Sequence, residues 1–336
     1  MKSISLLIVA AAALLFSGCS SKKYFEPEQT YSAGSAVTAY GSKIVDLSRD
    51  GATLENGQYI GKRGIGKINL GTGYRFLSES PVYILAGNPE GKLKIINKRS
   101  AKVLRTVDLE VPIVSASIHN GTVAYILNNN AFGLYRISDD KKVMENRSEV
   151  TYAIDTRAAS PMFIDSLVVM PMLDGKLVIL DSSNPADAKI IYLSSDQVFN
   201  NVIYLSRSGD TLVAATPKKL ITVGVDGEME YRANISDVAV AGSTIYVFTK
   251  EGDIIKLNRA LEEQARKKFK YAHFAASTVV GGRVYALDQQ GSLIVLSSDL
   301  KKYRIYELGE VESPVFVSRT RLYKDGEIID LSKLKY

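Results

Sequence analysis

An all-β propeller is the fold class this sequence predicts, and two observations carry that expectation. A strand–turn–strand unit of nearly constant design recurs along most of the 336 residues, at a spacing of about 40 residues. Short β-branched runs lie before and after each unit, which brings every repeat to four strands, the composition of a propeller blade. No αβ unit fits that length.

The hairpins come first. They read PVYILAGNPEGKLKIIN from Pro81, TVAYILNNNAFGLYRIS from Thr122, SLVVMPMLDGKLVILD from Ser166, STIYVFTKEGDIIKLN from Ser243, GRVYALDQQGSLIVLS from Gly282 and RLYKDGEIIDLS from Arg321. A weaker copy, TLVAATPKKLITVG from Thr211, lacks a turn glycine. Gly91, Gly133, Gly175, Gly252, Gly291 and Gly326 are the expected turn glycines, placed where a hairpin needs a residue tolerant of positive φ. Alternation at period two, as in Leu177, Ile179 and Asp181, marks the returning strand as β rather than helical. Candidate strands precede the hairpins at 113–118, 162–164, 202–205, 238–240, 278–280 and 315–317, and others follow at 102–109 and 189–193.

Seven hairpins predict seven blades, with eight as the alternative. The last unit ends soon after its third strand, so the segment 43–70, with strand-like pieces at 43–47 and 58–60, is expected to add the missing outer strand and close the ring. An unclosed ring would leave hydrogen-bonding edges exposed.

The N-terminus carries an address. Lys2 precedes an apolar run from Ile4 to Phe16, interrupted only by Ser5; that is too short to span a bilayer and has the length of a signal-peptide core. It ends in Phe16-Ser17-Gly18-Cys19. This resembles the lipobox of bacterial lipoproteins, although leucine is usual where Phe16 stands. The resemblance implies cleavage between Gly18 and Cys19 and acylation of Cys19. Residues 1–18 are then a signal peptide, 19–42 a lipidated polar tether, and 43–336 a single propeller domain. Ser20 stands where an inner-membrane retention signal would place aspartate, so the resemblance implies a lipid anchor in the outer membrane, facing the periplasm.

Several units also resemble PQQ-type propeller repeats, most closely SPMFIDSLVVMPMLDGKLVILD from Ser160 to Asp181. With the lipobox, the whole chain is similar to the BamB-type propeller lipoproteins of the outer-membrane β-barrel assembly machine. That resemblance implies a non-enzymatic scaffold with envelope proteins, possible members of the barrel-assembly complex among them, as partners. It rests on structural residues, which report fold more than function. The repeat family usually follows Leu-Asp with Thr-Gly and tryptophan; here Ser182-Ser183-Asn184 follow Asp181, and the chain has no tryptophan.

Composition narrows the chemistry. Hydrophobic residues make up 46% and charged residues 23%, as in ordinary globular domains. The net charge is +6, or +5 once Lys2, the one charge ahead of Cys19, is removed; so modest an excess, spread along the chain, is no sign of nucleic-acid binding. Cys19 is the only cysteine, so no internal disulfide forms, and His119 and His273 lack companions at metal-ligand spacing. Neither a metal site nor a cofactor is expected. A quinone-dependent dehydrogenase on this fold would need an aromatic-floored pocket with acidic ligands, which the lack of tryptophan disfavours. A glycan- or peptidoglycan-binding lipoprotein, stacking sugars on some of the 19 tyrosines, is the remaining alternative.

Two basic stretches are candidates for partner or lipid contact. Gly61 to Lys67 fits the G-x-x-x-x-G-K spacing of a phosphate loop, but Ile68 follows where Ser or Thr would be needed; the reading is a basic glycine-rich loop presenting Lys62, Arg63 and Lys67. The segment 259–270, RALEEQARKKFK, pairs Glu262 with Arg266 and Glu263 with Lys267 at helical spacing and holds the densest basic cluster, Arg266, Lys267, Lys268 and Lys270.

Overall fold

The computed structural model describes residues 23–336 other than 152, 153, 156, 196, 197 and 226. Cys19 and the signal segment, with the cleavage expected at Gly18, lie outside the described residues. Among the described residues, eight antiparallel sheets succeed one another along the chain as blades 1 to 8, at 44–66, 75–108, 113–147, 162–192, 204–232, 235–268, 274–307 and 316–330. The fold is an eight-bladed β-propeller, not the seven-bladed one.

The burial pattern along a blade explains its sequence. The second and third strands are covered on both faces, as in Ser292–Ser297, where every residue is buried, so they read as near-continuous apolar runs. The outer strand faces solvent; Lys102–Asp108 is exposed at all but one position. Each pair of neighbouring blades has its own apolar cluster. Leu77, Leu85, Val123 and Tyr125 fill the space between blades 2 and 3, and Ile44, Leu54, Ile60 and Tyr323 join blade 1 to blade 8. Eight such layers close the circle, and the hydrophobic stabilisation is distributed around it rather than pooled in one core.

One backbone bond repeats in every blade. Just beyond the outer strand, an N–H returns to a carbonyl in the turn between the second and third strands. The pairs are Leu70 to Gly57, Leu109 to Gly91, Ser148 to Asn130, Leu193 to Gly175, Ala233 to Lys218, Phe269 to Gly252, Leu308 to Gly291 and Tyr40 to Gly326, at 2.7–3.3 Å. The bond places this turn and the loop leading to the next blade on one face of the ring.

That series corrects three expectations. First, the segment 43–70 is not a closing strand; it is blade 1, with its own Asn56-Gly57 turn between Gly51–Leu54 and Tyr59–Gly61. Second, the closing strand is Val37–Ala39, which pairs with Glu327 to Ile329, and Tyr31–Ser32 adds a parallel fifth strand to blade 7 beside Tyr306 and Glu307. Part of the expected tether 19–42 is therefore sheet. Third, Gly133 is not at a turn. It lies inside Ala131–Arg136 opposite Tyr125, and a Cβ there would stand 2.4 Å from the Tyr125 hydroxyl. Asn130, at φ 61°, holds that turn instead. The other five expected glycines have φ between 80° and 94°. Where blade 5 lacks a glycine, Lys218 provides the carbonyl.

The segment 259–270 is also not helical. Glu263–Lys268 is the outer strand of blade 6, and its neighbouring charges pair as Arg266 with Glu263 at 2.7 Å.

Candidate protein-docking face

The central channel is strapped by charge. Arg49, at the first turn of blade 1, reaches Asp237 on the innermost strand of blade 6 at 2.9 Å and lies 4.8 Å from the centre of the Tyr204 ring of blade 5. Ser277 Oγ donates to the other Asp237 oxygen at 2.7 Å. Arg157, from the loop before blade 4, pairs with Asp155 at 3.2 Å and donates to the Ser236 carbonyl. Arg75 donates to the Val114 carbonyl at 3.0 Å and to Asp46 at 3.3 Å. What remains beside these bridges is a cavity of about 190 Å³, lined by Arg49, Arg157, Asp237 and Ser277 among others. Paired, hydrogen-bonded ions of this kind tie blades together. No group of three His, Cys, Asp or Glu side chains placed to hold a metal occurs among the described residues.

The loops beside blade 4 have a different character. Ser148 and Glu149, after blade 3, and Leu193 and Asn200, after the outer strand of blade 4, converge on the turn Asp174-Gly175-Lys176. Asp174 accepts from Ser148 Oγ at 2.5 Å and from the Glu149 N–H at 3.2 Å. Lys176 pairs with Asp174 at 3.0 Å and with Glu149 at 2.8 Å. Burial alone would lower the Lys176 pKa, but the hydrogen bonds from its ammonium to Glu149 and Asp174 outweigh that and raise it above the usual lysine value. On the other side, Asn200 Nδ2 donates to the Asp174 carbonyl at 2.9 Å. That amide lies so close to Gly175 that a Cβ there would meet it at 2.4 Å, which requires glycine as much as the turn's φ of 80° does.

Buried amides complete the scaffold. Asn130, fully buried, donates to the Glu149 carbonyl at 2.7 Å and accepts from the Leu173 N–H at 3.0 Å. Asn201 clasps Asp155 in both directions, at 2.7 and 3.0 Å. On this fixed base the loops present apolar side chains to solvent. Val150 is 69% exposed, Phe199 51% and Tyr192, at the end of the outer strand, 61%, with Val198 and Ile190 also exposed. Phe199 has φ 51°, a conformation uncommon for an aromatic residue. Exposed apolar groups beside loops with hydrogen-bonded bases make this region the candidate for protein docking.

The residues singled out from sequence fall elsewhere. Lys62 and Arg63 occupy the turn between the last two strands of blade 1; Lys62 donates its N–H to Glu79 at 2.7 Å, and Lys67 follows the blade's outer strand. No helix starts there, so no phosphate loop is formed. Arg266, Lys267, Lys268 and Lys270 lie on the outer wall of blade 6, so the two basic stretches belong to separate blades. His119 rests on Phe163 with ring centres 5.6 Å apart at the channel mouth; His273 donates its N–H to Asp288 at 2.7 Å. The loops beside blade 4 were missed by sequence reasoning. Their signal was present in the long inter-hairpin gaps around blade 4 and in the asparagine runs at 128–130 and 200–201.

Eight antiparallel blades closed into a ring, with ion pairs across the channel and exposed apolar side chains beside blade 4, define a β-propeller. No protein-family model matches the chain. It is 29% identical over 376 residues to a plasminogen-binding protein, PgbB, of Helicobacter pylori, covering 98% of this chain and 69% of that protein. The PgbB of a second strain is also 29% identical, over 380 residues. Among solved structures, BamB from Moraxella catarrhalis superposes with a TM-score of 0.69 at 17% identity, covering 87% of this chain and 98% of that one. The C-terminal WD40 domain of Sif2 gives 0.63 at 12% identity over 87% of this chain. The computationally designed Ika8 protein gives 0.61 at 12% over the same share. The fold is thus BamB-like.

Proposed function

We propose that this chain is a non-enzymatic envelope lipoprotein that docks protein partners through the loop rim around blade 4. The observation carrying the proposal is the exposure of Val150, Val198 and Phe199 on loops fastened to Asp174, Lys176, Asn130 and Asn200, with Tyr192 exposed at the end of the adjoining outer strand. Loops fastened at their bases lose less freedom on binding than free ones. The ionic struts across the channel leave the loop faces as the natural place for recognition. Cleavage after Gly18 and acylation at Cys19 place the propeller on the periplasmic side of the outer membrane, as the lipobox implies. The first partner class is therefore envelope protein, with the barrel-assembly machine as the named case, in keeping with the BamB-like fold.

Capture of the native lipoprotein from gently solubilised membranes tests this. Wild-type protein is expected to recover an envelope complex, and a Val198→Ser/Phe199→Ser variant to lose most of it. Recovery of no protein partner would contradict the proposal. Saturable binding of PQQ with calcium, accompanied by dye reduction, would contradict its non-enzymatic part.

A second reading has its own support. PgbB, similar over nearly the whole chain, is named for binding plasminogen. A propeller displayed at the cell surface would meet such a partner, and immobilised plasminogen retaining the purified chain would favour this reading.

A further inference from the structure

We infer that the outer wall between blades 6 and 7 is a docking surface for an anionic phospholipid bilayer, set where the chain leaves the propeller toward its lipid anchor. The inference extends the proposed function and rests on its reading of Cys19. The first described residues do not trail away from the propeller. Phe25 packs edge-to-face on Phe269 at 5.8 Å, and Phe269 does the same with Tyr303 at 5.4 Å. Lys23 stands 5.7 Å from the centre of the Tyr271 ring. Only three residues lie between Cys19 and Lys23, and the four steps of an extended chain reach about 14 Å. The acyl chains therefore enter the bilayer within about that distance of this wall.

The wall has the chemistry for such a neighbour. Lys267 lies over the Tyr303 ring at 4.6 Å and Lys270 over Tyr271 at 5.0 Å. Both tyrosines are exposed, and tyrosine favours the headgroup region, where its ring and hydroxyl meet different media. Among the described residues neither Lys267 nor Lys270 has a carboxylate at ion-pair distance, whereas Lys268 is paired with Asp253 at 3.0 Å. The cleft here, about 480 Å³, sets Lys267, Lys270 and Arg304, besides the paired Lys268, against Glu26 and Glu28. Lys270, first by its hydrogen bond, and Lys23 hold the Tyr271 phenol below its ordinary value, in keeping with a positive local field. An acidic protein would satisfy the same charges. Proximity to the anchor favours the membrane, because stable lipidated attachment commonly combines acyl chains with a basic surface.

The test uses the whole mature chain with Cys19→Ala, so that acylation plays no part. Its partition is measured onto vesicles of phosphatidylglycerol mixed with phosphatidylcholine, and onto phosphatidylcholine alone. Preference for the anionic vesicles is expected, falling at least about tenfold for Lys267→Gln/Lys270→Gln and weakening with salt. Circular dichroism of that variant should match wild type. Equal partition onto both vesicles, or an unchanged partition for the double variant, would overturn the surface. So would binding to a poly-glutamate peptide with no vesicle binding, which would assign the cleft to an acidic protein. The mass of the membrane-extracted wild-type chain tests the anchor separately. Missing acylation with anionic binding retained supports the surface while removing the anchor; acylation with no anionic preference does the reverse.

Discussion

The rim around blade 4 and the wall between blades 6 and 7 are both exposed, yet they are built on opposite principles. At the rim, charges turn inward: Asp174 and Lys176 are spent on fastening loops, and apolar side chains are left facing out. On the wall, Phe25 packs on the buried Phe269, and Lys270, Tyr271 and Tyr303 are left facing out, with Lys267 half-buried over the Tyr303 ring. A propeller invites this division because its blades share one backbone plan while loops and outer strands vary freely. An apolar rim suits a protein partner, and a basic wall with tyrosines suits a charged bilayer. Two surfaces on different blades allow one molecule to hold both at once.

The comparison can be broken from the wall side first. Removing residues through Ala39 deletes both the closing strand Val37–Ala39 and the added strand Tyr31–Ser32. Blade 8 then has an open edge, and stability is expected to fall by several kcal/mol, roughly the loss of a blade-edge interface. Denaturant titration, with aggregation followed by light scattering, measures it. A shorter deletion ending before Tyr31 spares both strands and is expected to lose the Phe25 and Lys23 ring contacts, about 1–2 kcal/mol.

Breaking the rim takes one residue. Asn130→Ala removes two buried hydrogen bonds and puts a Cβ-bearing residue without an amide at φ 61°. The expected destabilisation is about 3 kcal/mol. Asn130→Gly relieves the backbone term and should recover about 1 kcal/mol of it, which separates the amide's role from the turn's.

Lys176→Met sharpens the electrostatic half of the contrast. It leaves Asp174 without its cation but with the Ser148 and Glu149 donors, so a loss of about 2 kcal/mol is expected, below the usual range for an orphaned buried charge. The pH dependence has a definite sign. The Lys176 pKa is raised in the folded state, so its contribution is fully present below the unfolded value of about 10.4 and disappears as pH rises through the folded value. The stability gap between wild type and variant should therefore be constant from neutral pH to about pH 9 and close above about 10.4.

Much of the fold was readable in advance, and the failures have physical causes. Strong hairpins such as Thr244–Thr249 with Asp253–Leu257 are buried on both faces, and their apolar runs are unmistakable. Blade 1 hid because its last two strands, Tyr59–Gly61 and Gly64–Gly66, have three residues each and are glycine-rich. Its Asn56-Gly57 turn was the available signal. The closing strand Val37–Ala39 hid because its partner lies some 290 residues away, and three-residue edge strands carry little periodicity. At 259–270 the charges repeat at helical spacing, but sheet pairing with Asp253–Leu257 overrides them, and the half-buried positions, Ala265 and Lys267, alternate at period two. Gly133 looked like a turn residue because any glycine near a hairpin does; only the Tyr125 ring explains its place. The docking rim was the least legible. It is assembled by side-chain amides from loops far apart in sequence, and nothing local announces that they meet.

The most direct measurement places the two surfaces side by side. Acylated wild-type chain, the Val198→Ser/Phe199→Ser rim variant and the Lys267→Gln/Lys270→Gln wall variant would each be used to capture partners from solubilised membranes, and their Cys19→Ala forms would be partitioned onto anionic vesicles. The rim variant is expected to lose at least about tenfold in partner recovery, as for hot-spot residues, with vesicle partition unchanged, and the wall variant to show the reverse. Partner recovery by the rim variant equal to wild type would contradict the claim that the loops around blade 4 are the protein-docking face.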